Sequence, residues 1–196
     1  MAQVKKEAVR EAILDAAFRL FRERGYAATT ISMIAAEAGF STANVYVYFP
    51  SKFRIAFTLY DAWFRAQVEA LRAQVEAEPE PRRRLFAILH ALWCDIPQAE
   101  NSFANCFMEA ISTLGPEDTY EPTLLRWAEV QIGAMLRGCL PGGDLVAVRV
   151  ARVALMAFDG FAIGRKLRPG AACDHATIQQ MVDLLLPEQA KPRRRR

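Results

Sequence analysis

A chain of 196 residues that is 53% apolar and 24% charged, with a formal charge of +3, has material for one large or two small domains and is too apolar to be disordered throughout. Its longest uncharged apolar run toward the C-terminus, Val153 to Phe158, is far too short to cross a bilayer. Five of the cations are Lys191 and Arg193 to Arg196; without them the +3 becomes −2, which excludes a body that binds nucleic acid through bulk positive charge.

Taken in order, the elements are all helical. Val9, Ile13, Ala17 and Leu20, with Phe21 beside them, make one face of a first helix over about Lys6 to Arg24, which Gly25 ends. Glu7, Glu11 and Asp15 interrupt the basic N-terminus, so it lacks the apolar core of a signal peptide and the expected location is cytoplasmic.

Thr30 to Phe53 then reads as two short helices joined by a tight turn. Ala35 sits where two helices meet closely. Gly39, four residues on, reaches the φ > 0 conformation that ends a helix. Val45, six further, can plug the gap between the helices. Ile34, Ala38 and Phe40 add apolar contacts, and Thr30 and Ser41 stand at N-cap positions. This is the pattern of a helix-turn-helix, whose second helix, here Thr42 to Tyr48, enters the major groove of DNA. An ordinary helical hairpin in a core has the same spacing. Ser41, Thr42, Asn44, Tyr46 and Tyr48 argue for DNA, because short or planar hydrogen-bonding side chains suit base edges and phosphates. Residues 1 to 54 hold eight Lys/Arg against five Asp/Glu, so the local positive charge coincides with this motif.

Ser51 caps a long helix reaching about Ala77. Phe53, Phe57, Tyr60, Phe64, Val68, Leu71 and Val75 form its seam, and at about 1.5 Å per residue it is roughly 40 Å long. It would join the N-terminal part to the rest, so that a push at its far end could swing the second helix of the motif. Pro79 and Pro81 break the chain. Further helices are expected over about Arg82 to Ile96, stopping near Pro97; Ser102 to Leu114; Pro122 to Leu140; Leu145 to Leu167, with Asp144 as N-cap; and Ala176 to Leu186. The helix over 145–167 is apolar nearly all round and carries Gly160 and Gly164 one turn apart, which implies burial on more than one side. A central helix of a monomeric bundle or a subunit interface both satisfy that.

The middle helices hold Tyr60, Trp63, Phe64, Trp93, Phe103, Phe107, Met108, Trp127 and Met156, a stripe that fits a plain core as well as a ligand box. Glu109, Glu129 and Asp159 fall within or beside apolar runs. A buried carboxylate needs a partner: a cationic ligand, or Arg126, Arg149 or Arg152. Cys94, Cys106, Cys139 and Cys173 lie far apart with no C-x-x-C pair, which reads as reduced core thiols, with a redox sensor as the alternative. His90 and His175 are widely separated in sequence and in no metal-ligand spacing, and no glycine-rich phosphate loop or nucleophile elbow is present. No enzyme, metal or cofactor is therefore expected. The C-terminal cations of 188–196 read as a basic disordered tail, solvated or adding phosphate attraction.

The first 65 or so residues resemble the TetR family of bacterial transcriptional regulators. The match lies in Gly25-Tyr26, Thr29-Thr30, Ile34-Ala35, Ala38-Gly39-Phe40-Ser41, Val45-Tyr46, Tyr48-Phe49 and Ser51-Lys52. The rest agrees in layout and length only. The resemblance implies an all-α fold of about nine helices. A helix-turn-helix DNA-binding domain over 6–66, with its motif at 30–49, would precede a ligand-binding and dimerisation domain over 67–187. It implies phosphate contact by Thr30, base or backbone contact by Thr42, Ala43 and Asn44, contacts of Tyr46 and Tyr48 with phosphates or thymine methyls, and a phosphate clamp at Lys52, with Ser41 in the same set. It implies an effector pocket among the aromatic and Met residues, and a homodimer through about 145–167 and 176–186, reading two half-sites about 34 Å apart or a multiple. Two positions depart from the family: Ala43 where Gly is frequent, and Arg54 where an acid is frequent, opposing the helix macrodipole unless a phosphate lies near. The implied protein is a repressor that leaves a palindromic double-stranded DNA operator when a small molecule binds. An activator of the same fold, or a helical interaction module without DNA binding, are the alternatives.

Overall fold

The computed structural model describes residues 2–98, 103–115, 120, 122–167 and 173–187. Among these every regular element is a helix, and none is long and apolar enough to cross a membrane. Two compact units are present: residues 1–66 with 99–122, and residues 67–98 with 123–196. The sequence places a boundary at 66/67, and α4 (Lys52–Glu76) contributes to both units there. The segment around α7 (Phe103–Ser112), expected in the second domain, belongs instead to the first unit. The reason is aromatic packing: Phe103 stacks on Phe18 at 5.5 Å, and Phe107 lies on Tyr60 at 4.0 Å with the rings 9° apart.

The first unit is built on α1 (Ala2–Ala28), which buries Ile13, Ala16, Ala17, Leu20 and Phe21. Gly25 breaks its helical geometry with φ 78° and ψ 172°, a combination essentially confined to glycine. Fully buried Thr29 locks the reversal, its hydroxyl donating to the Gly25 carbonyl at 2.8 Å. Then come α2 (Ile31–Ala38) and α3 (Thr42–Tyr48). Thr30 caps α2 by accepting from the Met33 amide, and Ser41 caps α3 by accepting from that of Asn44, both at 3.2 Å. Gly39 ends α2 in the left-handed region (φ 77°), with Phe40 N–H donating to Ala35 O at 2.8 Å and Gly39 N–H to Ala36 O at 3.2 Å. This bond pair is a Schellman motif. It turns the chain so that Ala35 and Val45 are both buried between the helices.

The second unit holds the end of α4, α5 (Pro81–His90), a π-helical segment (Ala91–Asp95), α6 (Ile96–Gln98), α8 (Thr123–Leu136), α9 (Gly143–Leu167) and α10 (His175–Leu185). The helix expected over 82–96 runs one residue past Pro97. A proline in an α-helix clashes with the carbonyl four residues back. Here the preceding turn is widened to i→i+5 bonding, with Ile96 N–H donating to Ala91 O, and Pro97 is buried in place. Asp144, expected as an N-cap, lies inside the first turn of α9, whereas Asp174 caps α10 by accepting from the Thr177 amide at 2.7 Å. The core is set where the Trp93 indole donates to Ala154 O at 2.9 Å and where α8 and α9 meet, with Gly133 beside Val148 and Ala151. All four cysteines are buried and none is in a disulfide; burial and the contact with Cys173 push the Cys94 thiol up to about 12. The basic tail expected over 188–196 lies outside the described residues.

Gly39 has nothing within 4 Å of where a Cβ would stand, so only backbone strain opposes substitution there. Gly39→Ala should cost about 1 kcal/mol, and Gly25→Ala, in its narrower region, up to about 3 kcal/mol. Urea unfolding measures both; equal stability of all three proteins would refute the account.

Candidate nucleic-acid interface

The second helix of the motif turns one side into the fold and the other to solvent. Val45 is buried while Ser41, Thr42, Ala43, Tyr46 (54% exposed) and Val47 (77% exposed) face outward, with Asn44 and Tyr48 half-buried. Val47 was not among the residues singled out in the sequence; its place one residue beyond Tyr46 on a seven-residue helix was the available signal. Thr30 is exposed at the start of α2, its oxygen occupied by the Met33 amide but its hydroxyl hydrogen available to donate. Two cations flank α3 in the fold. Arg10 lies over the Phe49 ring at 5.4 Å, and exposed Arg54 over that of Phe57 at 5.5 Å.

Lys52 does not point outward as the resemblance implied. Its ammonium donates to the carbonyls of Tyr26 and Thr29, at 2.8 Å each, and sits 4.1 Å from the centroid of the Tyr26 ring. Burial pulls its pKa down, against the opposing pull of Glu109. Glu109 accepts from the Tyr26 amide at 3.1 Å. The turn between α1 and α2 is thus held by a cation on its carbonyls and an anion on its N–H. The two are 57 residues apart in sequence, so no local pattern announced the pair.

The residues expected to line a pocket divide. Tyr60, Trp63, Phe64 and Phe107 form one ring cluster in the first unit, with Phe53, Phe57 and Tyr120 attached. Phe103 is buried against Phe18, and Met108 is half-buried. In the second unit Trp93 lines an apolar cleft of about 240 Å³ between α5, α9 and α10, and Trp127 is half-buried. Met156 is 67% exposed, so it is not a lining residue; it joins Leu145, Val153 and Ile163 on an exposed apolar side of α9. Of the three carboxylates in apolar runs, Glu129 pairs with Arg152 at 3.0 Å and Glu109 holds the turn. Asp159 has no ion pair among the described residues, and burial raises its pKa to about 6.

Two short helices locked by a Schellman turn, with the outer side of the second left free, define a helix-turn-helix protein. Residues 13–56 match the family model for bacterial regulatory proteins of the TetR family. Over 140 residues the chain is 30% identical to the HTH-type transcriptional regulator HbdR of Aromatoleum sp. (strain CIB), a match covering 68% of this chain and 58% of that protein. Over 194 residues it is 28% identical to the HTH-type transcriptional regulator BetI of Agrobacterium fabrum, covering 93% of each. A transcriptional regulator from Saccharomonospora viridis, solved in complex with choline, superposes with a TM-score of 0.60 at 25% identity, over 91% of this chain and 94% of that one. The chain belongs to the TetR family of helix-turn-helix transcriptional regulators.

Two substitutions test the electrostatic assignments. Lys52→Met removes the ammonium from the Tyr26 and Thr29 carbonyls, of which that of Tyr26 keeps the Thr29 amide at 3.3 Å, and should cost about 2 kcal/mol in urea unfolding; an unchanged midpoint with lost DNA affinity would return Lys52 to phosphate contact. For Asp159 the sign is opposite to that of a paired carboxylate. Its pKa rises from 3.8 to about 6 on folding, so its ionisation weakens the fold as pH climbs through that interval, and the penalty is complete above it. Asp159→Asn should be more stable than wild type by about 1–2 kcal/mol at pH 7.5, after allowance for its partial exposure. The gain should vanish near pH 4, and a gain independent of pH would contradict the assignment.

Proposed function

We propose that the protein is a cytoplasmic repressor that holds a palindromic operator as a homodimer and releases it when a small molecule binds its helical C-terminal part. The observation that carries this is the outer side of α3. Thr42, Ala43, Tyr46 and Val47 are exposed together on a helix whose inner residue, Val45, is buried. In this reading Thr42, Ala43 and Asn44 approach base edges, Tyr46 and Val47 meet thymine methyls or sugars, and Thr30, Ser41, Tyr48 and Arg54 contact phosphates. Lys52 is a positioning residue here, since its ammonium holds the α1–α2 turn.

Dimerisation is supported by the exposed apolar side of α9 and by Leu184 of α10, with Gly160 and Gly164 leaving open space beside the α9 backbone. Open glycines one turn apart let a partner helix approach closely, and a two-fold dimer supplies the two reading helices that a palindrome requires. Release works by population shift: the effector binds the form that does not fit DNA more tightly, and the difference in affinity sets the response.

The test is binding of the purified protein to the DNA flanking its own gene, against a scrambled duplex, across a salt series. Affinity for the flanking DNA alone, falling steeply with salt, is expected. Tyr46→Ala should weaken it about tenfold or more, for a loss of about 1–3 kcal/mol, with no change in unfolding midpoint. Equal binding to the scrambled duplex, or full affinity in both Tyr46→Ala and Thr42→Ala, would sink the reading.

A further inference from the structure

The second unit contains a cleft of about 250 Å³ between the end of α4, the start of α5 and the end of α8, lined by Arg72, Val75, Glu76, Arg84, Gln131 and Met135 among others. We infer that it is a binding site for a small oxyanion, a carboxylate or phosphate headgroup carrying a short apolar chain.

Two arginines from different helices line it, Arg72 with a loose ion pair to Glu69 and Arg84 with none among the described residues. Arg72 Nη1 lies 3.6 Å from Glu69, which is more than half exposed, so that pair is weak in water. Arg72 Nη2 is buried with no hydrogen-bond partner among the described residues. A buried donor without an acceptor is costly and rare, and a bound anion or water is its usual explanation. Arg84 donates from Nε and Nη2 to the carbonyl of Glu78, at 3.0 and 2.7 Å. It lies against the Cys139 thiol and has no carboxylate within 4.0 Å among the described residues.

The acids nearby do not fill the role. Glu80 is occupied in capping the amides of Arg82 and Arg83 at 2.9 and 2.8 Å. Glu76 lines the cleft but makes no ion pair with either arginine. Guanidinium forks match the two oxygens of a carboxylate or phosphate. Gln131 adds an amide donor, and Val75 and Met135 offer apolar surface to whatever the headgroup carries. The volume is just below that of typical small-molecule pockets, which suits a headgroup and a few carbons.

The site is read out without DNA, so its failure and that of the operator reading are distinguishable. The test is isothermal titration calorimetry of the full chain in low-chloride buffer, with inorganic phosphate in one arm and hexanoate in the other. Saturable binding of at least one is expected, and the tighter arm identifies the headgroup. Arg72→Met and Arg84→Met should each weaken it tenfold or more, while Arg126→Gln, outside the cleft, leaves it unchanged. Arg72→Met keeps the packing of the side-chain stem, so an arginine present for its charge alone should give a variant that melts at the same or a higher temperature. If an arginine variant fails to fold, Ala134→Trp, at an exposed lining position, should block the cleft and abolish binding. Absence of heat with both anions, or wild-type affinity in the variants that fold, would overturn the inference.

Discussion

The arrangement of the first unit depends on how the turn between α1 and α2 is held. Gly25 lets the chain reverse, but a reversal alone fixes no direction. Direction comes from three side chains closing on one short backbone segment: Thr29 on the Gly25 carbonyl, Lys52 on the Tyr26 and Thr29 carbonyls, and Glu109 on the Tyr26 amide. The start of α2 follows immediately, and α3 follows α2 through a turn with two defined hydrogen bonds. The orientation of the outer side of α3 is therefore inherited from charges on α4 and α7. A lysine and a glutamate that hold the backbone of that turn set where Thr42 and Tyr46 stand.

That dependence explains which parts of the fold were legible in the sequence. Gly25, Gly39 and the N-caps Thr30 and Ser41 were readable because each answers a local need: a positive φ or an unpaired amide within three residues. The seam of α4 was readable because burial on one side of a helix repeats every three or four residues, and Phe53, Tyr60, Phe64, Val68, Leu71 and Val75 are all buried. The family resemblance rests on these same local requirements.

What the sequence hid are the contacts between distant segments. Lys52 looks like a surface cation until its carbonyl partners, 23 and 26 residues away, are in place. Met156 looks like core until α9 is seen to bury Ala151, Ala154, Leu155 and Phe158 and to leave the opposite side exposed. His90 and His175 looked unrelated, yet their rings lie 6.4 Å apart, with both rings against Phe86 and Asp95 hydrogen-bonded to His90 at 3.0 Å. Hydrophobic periodicity says which side of a helix is buried. It does not say which neighbour lies there.

The charged groups carry the same distinction further. Near-surface pairs such as Asp61–Arg65, one helical turn apart, are predictable from spacing and contribute little. Charged groups inside the fold are the informative ones, because each must be matched or explained. Glu129 is matched by Arg152, and Glu109 by an amide and by Lys52. Asp159 is matched by nothing among the described residues and carries its burial as a raised pKa. Arg72 is matched at one nitrogen and not at the other. A carboxylic acid escapes an unfavourable site by taking up a proton near pH 6, whereas a guanidinium stays charged at any accessible pH. An unmatched nitrogen on an arginine that lines a cleft is therefore the stronger indication that a ligand completes the site.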